Sequence, residues 1–324
     1  MEIAVTGAGG RIGNVLVRRL LDAGHQVRVL ERRKRTSLAG VPVQRIEGDI
    51  NDSKSIDTLL QGCEVVYHLA AFVSISGGHH GLVEKINVGG TRQLVSGAIR
   101  HGLRRIIYFG SIHAYQTGDP ELEIDENQPL AIDSSVAYNR SKAQALQFIL
   151  NVRGPEIIAL CPTAVIGPGD YEPSYTGQML LMMHQGKLPL LVGGGYNWVD
   201  VRDIVQTALV ALDRGKPGSA YLVSGHYASL SDLAKKVEAV TGVKVTRTVA
   251  PDWLVHLGLP FVRLYAVASK SDPLYTREAL LALKEGARNI SRLRVQQDFQ
   301  YTPRPLEETL RDSYLWFEEH RYLP

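Results

Sequence analysis

The chain is short of cysteine, of charge imbalance and of long apolar runs, and each shortage removes a class of protein. Two cysteines in 324 residues cannot build a disulfide framework. Cys63 and Cys161 each sit in an apolar run, "GCEVVYHLAA" and "IIALCP", and read as buried reduced thiols. Against 36 Lys and Arg stand 33 Asp and Glu, a formal net charge of +3, so there is no global basic field of the kind nucleic acid requires. The longest apolar stretch, "WLVHLGLPFVRLYAVA" from Trp253, carries His256, Pro260 and Arg263 and falls short of the roughly 18 residues of a membrane span. Glu2 and the turn at Thr6 come too early for the apolar core of a signal peptide, which leaves the cytoplasm as the expected location. The adjacent His79 and His80 lack further ligands at defined spacing, so no metal is expected.

What is present is a rhythm. "EIAV", "QVRVLE", "VQRIEGD", "EVVYHLAA", "RRIIYFGS" and "EIIALCP" read as strands. Between them lie amphipathic stretches such as "RIGNVLVRRLLDAG", stopped by Gly24, and "DSKSIDTLLQG", capped by Asp52. A further helix is expected from about 135 to 152. This alternation predicts an α/β fold, a doubly wound parallel sheet of Rossmann type. Beyond Pro162 the rhythm breaks at "TAVIGPGDYEPSYTG". A helix is expected near "QMLLMMHQG", a capped one at "SLSDLAKKVEAVTG", a strand at "VKVTRTV", and a mostly helical C-terminal third. The expected organisation is a dinucleotide-binding domain over 1–162, rejoined by about 199–226, and a smaller, mostly helical substrate-binding part within 163–324.

"TGAGGRIG" (residues 6–13) places Gly7, Gly10 and Gly13 after a strand and at the start of a helix. That context suits a tight turn, close approach of backbone to a pyrophosphate, and a helix N-terminus facing the phosphate charge. Arg11 and Ile12 share the turn. Glu31 ends the second strand, where a carboxylate accepts from adenosine ribose hydroxyls and favours NAD. Arg32, Arg33, Lys34 and Arg35 follow at once, and a guanidinium there favours the 2′-phosphate of NADP. The expected cofactor is therefore NAD or NADP, with Glu31 tilting the choice to NAD. Asp49, followed by Ile50, is a candidate for the adenine amino group.

"AYNRSK" puts Tyr138 and Lys142 one turn apart on a helix face. An ammonium beside a phenol lowers its pKa toward that of a working acid/base. Ser111, at the carboxyl end of "RRIIYFGS", is placed to hydrogen-bond a reacting oxygen.

The glycine loop, "GDI", "HLAA", "NVGGT", the serine, Tyr138 with Lys142, "GPGD" and "VDVRD" occur in the order found in the extended short-chain dehydrogenase/reductases. The chain resembles that epimerase/dehydratase superfamily over essentially its whole length. The resemblance implies that Tyr138 is the acid/base, that Lys142 holds the nicotinamide ribose and tunes Tyr138, and that Ser111 binds the reacting oxygen. It implies cofactor contacts from Leu69, Ala70, Ala71, Asn87 and Pro162, and a homodimer paired through the helices carrying Asn87 and Tyr138.

The departures narrow the choice. Dehydratases of this kind place an acidic pair after the serine; here those positions are Ile112 and His113. Sugar-nucleotide epimerases carry an asparagine and an arginine where this chain has Ala164 and Tyr196, so a charge-assisted diphosphate contact is missing. What remains resembles the dihydroflavonol-reductase-like and steroid-dehydrogenase-like branch. His113, Thr163, Tyr196 and Trp198 are candidate substrate contacts. The expected function is an NAD(P)-dependent oxidoreductase moving a hydride between nicotinamide and a secondary alcohol or ketone of a small, relatively uncharged substrate. The alternatives are an NAD-dependent sugar or sugar-nucleotide epimerase that retains its cofactor, and a non-catalytic cofactor-sensing module.

Overall fold

The computed structural model describes residues 1–74, 77–119, 121–188, 190–251, 253–255, 276–284 and 286–323. Most of the apolar stretch that begins at Trp253 lies outside the described residues.

The N-terminal strands are β1 (Glu2–Thr6), β2 (Gln26–Glu31), β3 (Gln44–Glu47), β4 (Val65–His68), β5 (Arg105–Phe109) and β7 (Glu156–Pro162), joined later by β10 (Ser219–Val223). They form one seven-stranded sheet in the order β10-β7-β5-β4-β1-β2-β3, every pairing parallel. Successive residues of a strand face opposite sides, and here both sides are apolar. Ala4, Val66, Ile106 and Tyr108 enter the core on one face, and Ile3, Val5, Tyr67, Ile107 and Phe109 enter the core on the other. The first face is covered by α2 (Ser53–Leu60), α4 (Thr91–Arg100) and α5 (Ala137–Leu150). The second is covered by α1 (Arg11–Asp22), α7 (Val201–Val210) and α10 (Leu293–Phe299). Helix α1 shows why: Gly13, Leu16, Val17 and Leu20 recur at three- and four-residue spacing and are all buried. Chain direction around the sheet reverses between β1 and β4, which opens a crevice at their carboxyl ends.

The one-turn helix α3 (Leu82–Glu84) runs through a π-helical turn, Lys85–Gly90, into α4. Short strands β6 (Glu123–Ile124) and β12 (Asn289–Ile290) pair in parallel. Beyond β7, β8 (Ala164–Ile166), β9 (Gly195–Asp200) and β11 (His226–Ser229) form a three-stranded sheet. Helices α6 (Tyr175–His184), α8 (Leu230–Thr241), α9 (Arg277–Lys284) and α11 (Leu306–Glu319) share a third core with Trp198. The expected strand at "VKVTRTV" does not form. Residues 243–248 have no regular structure, because only Val249 finds a strand-like partner, a single bridge to Leu191. No described helix is long and apolar enough to cross a membrane.

Candidate active site

Two concavities flank the carboxyl edge of the sheet. The first is a cleft of about 250 Å³ in the β1/β4 crevice, lined by the glycine turn, Glu31, Arg32, Gly48–Ile50 and Leu69–Phe72. Gly7, Gly10, Glu31, Arg32, Asp49, Ile50, Leu69, Ala70 and Ala71 thus meet in one place although they come from four loops. Gly7 has φ +71°, and a Cβ there would lie 2.6 Å from the Ala70 nitrogen. A Cβ on Gly13 would lie 2.2 Å from the Gly7 carbonyl oxygen, so only glycine lets α1 start against the turn. Glu31 is 7% exposed. Its Oε2 takes a hydrogen bond of 2.6 Å from Arg45, and its Oε1 is buried without a partner. A buried carboxylate oxygen without a donor is costly, and a ribose hydroxyl is the donor that would satisfy it. Free helix N–H groups behind a glycine turn and an orphaned acceptor at the ribose end together fit a dinucleotide. Asp49 is half-buried, its Oδ1 holding the backbone and side chain of Asn51.

Some expected ligands have other occupations. The Arg11 side chain leaves the cleft altogether: its Nη1 donates to the Val165 carbonyl at 2.7 Å, Ser174 Oγ at 2.9 Å and Thr176 Oγ1 at 2.6 Å, and Nη2 lies 3.4 Å from Asp170. It ties α1 to the segment before α6. Asn14 helps, donating to the Gly169 carbonyl. Ile12 packs against the core. Asn87 is 2% exposed and braces the loop after β4: Oδ1 accepts from Phe72 N, while Nδ2 donates to the Phe72 carbonyl and Ser141 Oγ. It shapes the cleft wall without lining it. Pro162 is the last residue of β7, paired with Val223.

The catalytic candidates line neither concavity, but Ser111 adjoins Ile112 and His113, and Tyr138 lies between Val136 and Asn139, all of which line the second. Ser111 caps the short turn Ile112–Ala114, its Oγ accepting from His113 N at 3.2 Å. The Ser111 hydroxyl is close enough to the Tyr138 phenol to favour its ionised form. One helical turn on, Lys142 is buried, donating to the Phe109 carbonyl at 2.8 Å with its Nζ 5.2 Å from the centre of the Tyr108 ring. Burial lowers the Lys142 pKa to about 8, partly opposed by Cys161. The expectation that Lys142 depresses Tyr138 is corrected: burial dominates and pushes the Tyr138 phenol up, with the Ser111 hydroxyl pulling the other way. The reason is geometric, since the ammonium is turned onto the Phe109 carbonyl.

His68 went unnoticed in the sequence, hidden in an apolar strand. It bridges Thr6 Oγ1 at 2.7 Å and Thr91 Oγ1 at 2.9 Å. Burial, and then the charge of Lys142, hold its pKa down to about 3.

The second concavity, about 330 Å³, is lined by Ile112, His113, Val136, Asn139, Thr163, Tyr196 and, from α9 and beyond, Glu278 and Leu281. His113 stands edge-on to Tyr138, ring centres 5.9 Å apart, and burial lowers its pKa to about 4. Thr163 donates to Asn197 Oδ1 at 3.2 Å. Tyr196 lines the cavity, but Trp198 does not. Trp198 is 1% exposed, bonded through Nε1 to the Ala228 carbonyl and packed in the third core; it shares a face of β9 with Tyr196, whose ring lies edge-on to it at 5.3 Å. Glu278 lies 167 residues beyond Ser111 in sequence, with nothing nearby to single it out; its Oε2 accepts from Gly77 N at 3.2 Å. Arg202, next to Val201 in sequence, is bound to Asp200 and Asp312.

Residues 3–224 match the NAD dependent epimerase/dehydratase family. The chain is 32% identical to sterol demethylase protein B of Methylococcus capsulatus, over 98% of this chain and 99% of that one. It is 29% identical to a putative dihydroflavonol 4-reductase of Synechocystis, over 98% and 95% of the two chains. Its fold is that of UDP-glucose 4-epimerase from Thermotoga maritima, with TM-score 0.81 at 19% identity, covering 99% of this chain and all of that one. The crevice, the glycine turn and these likenesses lead to one assignment: the chain belongs to the NAD-dependent epimerase/dehydratase family.

Proposed function

We propose that this chain is an NAD(P)-dependent oxidoreductase acting on a secondary alcohol or ketone of a small, relatively uncharged substrate. When bound, the dinucleotide supplies the hydride donor or acceptor. Ser111 hydrogen-bonds the substrate oxygen and orients it. Tyr138, on the same oxygen, gives its hydroxyl proton in reduction and takes one back in oxidation. Lys142, held by the Phe109 carbonyl, fixes positive charge below the site. Neutral His113 forms an aromatic wall beside Tyr138 and carries no proton to a leaving group, in keeping with the missing acidic pair of a dehydratase.

The observation that carries this reading is the second cavity. Among the described residues its lining holds no arginine or lysine to meet a diphosphate, and it contains the carboxylate of Glu278, so it suits a neutral molecule better than a sugar nucleotide. The names of the Methylococcus and Synechocystis relatives point the same way. Residues 1–162 with 199–226 would hold the dinucleotide, and the remainder would close over the substrate.

The test is turnover of a ketone panel by stripped protein with added NADH or NADPH, in the wild type and in Tyr138→Phe. The expected result is dinucleotide consumption that falls at least about a hundredfold in the variant, with NADH affinity within about threefold. Equal turnover in the two proteins overturns the assignment of Tyr138. Tightly retained dinucleotide with no consumption of added NADH or NADPH would replace oxidoreduction by epimerisation.

A further inference from the structure

The basic run after β2 has a partner that the sequence does not suggest. Arg32, Arg33 and Arg35 all line the dinucleotide cleft beside Glu31. The Arg35 stem passes over the glycine turn, where a Cβ on Gly9 would lie 2.5 Å from its Cγ. Its guanidinium is paired with Glu172, and Arg33 Nη2 lies 3.6 Å from the same carboxylate oxygen. Glu172 belongs to the segment between β8 and α6, the one that Arg11 and Asn14 fasten to the start of α1. Two cations that face the adenosine end of the cleft therefore share one acid anchored on the other side of the turn.

Resting on the assignment of this cleft to a dinucleotide, we propose that Glu172 is a selectivity residue that favours NAD over NADP. It occupies Arg35 and Arg33, the groups chemically suited to a 2′-phosphate, and adds a negative charge beside them. Glu31 faces the ribose with one oxygen held by Arg45 and the other unpartnered. NADP binding must then break an ion pair and approach two carboxylates, whereas NAD needs neither. The pair is solvent-exposed and contributes little to folding; its effect falls on the charge balance at the ribose.

The test is a fluorescence titration of stripped protein with NADH and NADPH, comparing wild type, Glu172→Gln, Arg35→Gln and the double variant. Glu172→Gln is expected to tighten NADPH binding about three- to tenfold, a change suited to one partly screened charge, and to leave NADH within about twofold. In the Arg35→Gln background most of that gain should vanish, because Glu172 acts largely through Arg35. An unchanged ratio of the two affinities, with NADH still bound, overturns this proposal and leaves the function standing. Failure of the wild type to bind either dinucleotide overturns both.

Discussion

Replacing Arg11 by methionine separates two roles that the sequence could not distinguish. A methionine fills much of the same space but removes three Nη1 hydrogen bonds, leaving the Val165 carbonyl to Thr176 Oγ1 and the Ser174 hydroxyl to Gly177 N. It also leaves Asp170, 1% exposed, without its cation. Asp170 keeps two hydrogen bonds, from Ser174 N at 3.0 Å and Ser174 Oγ at 2.8 Å, so its charge is not fully stranded. Removing one partner of a buried ion pair costs about 3–5 kcal/mol. For a chain of this size that is a fall in Tm of about 4–7 °C. Adding Asp170→Asn removes the unpaired charge and should recover about half of the loss. Because the Arg11 side chain points away from the cleft, NADH affinity of the folded variant should stay within about threefold. Thermal denaturation of the three proteins, with NADH titration well below their Tm values, provides the assay. A Tm change under about 2 °C together with loss of NADH binding would refute the latch and restore Arg11 as a phosphate ligand.

Two further outcomes follow from the same geometry. The pKa values of His68, about 3, and His113, about 4, lie below the ordinary 6.5. The unfolded chain therefore binds more protons between these values, and stability falls as pH drops from about 6.5 toward 4. The slope from the pair reaches about 2.7 kcal/mol per pH unit, two protons' worth; urea midpoints measured across this range should flatten in His113→Gln, and an unaltered slope contradicts the assignment. Glu278→Gln should raise kcat/KM about tenfold for a carboxylate-bearing ketone relative to its methyl analogue, since a fixed carboxylate no longer repels it; an unchanged ratio removes Glu278 from the cavity's selectivity.

Periodicity alone determined the doubly wound sheet. Strands with apolar residues on both faces, separated by helices with one apolar stripe, have few other ways to bury their surface. The glycine spacing likewise determined the turn, because Gly7 needs a positive φ and Gly13 a missing Cβ. The placement of Ser111 at a strand end and of Tyr138 and Lys142 one turn apart on a helix was legible because these are local geometry. Direction was not legible. Whether Arg11 faces the cleft or Asp170, whether Lys142 turns to Tyr138 or to the Phe109 carbonyl, and whether Trp198 faces substrate or core depend on what packs against them. Only the tertiary structure decided these. It alone brought Glu278 into the second concavity and Glu172 onto the arginines that line the first, since neither carries a local pattern.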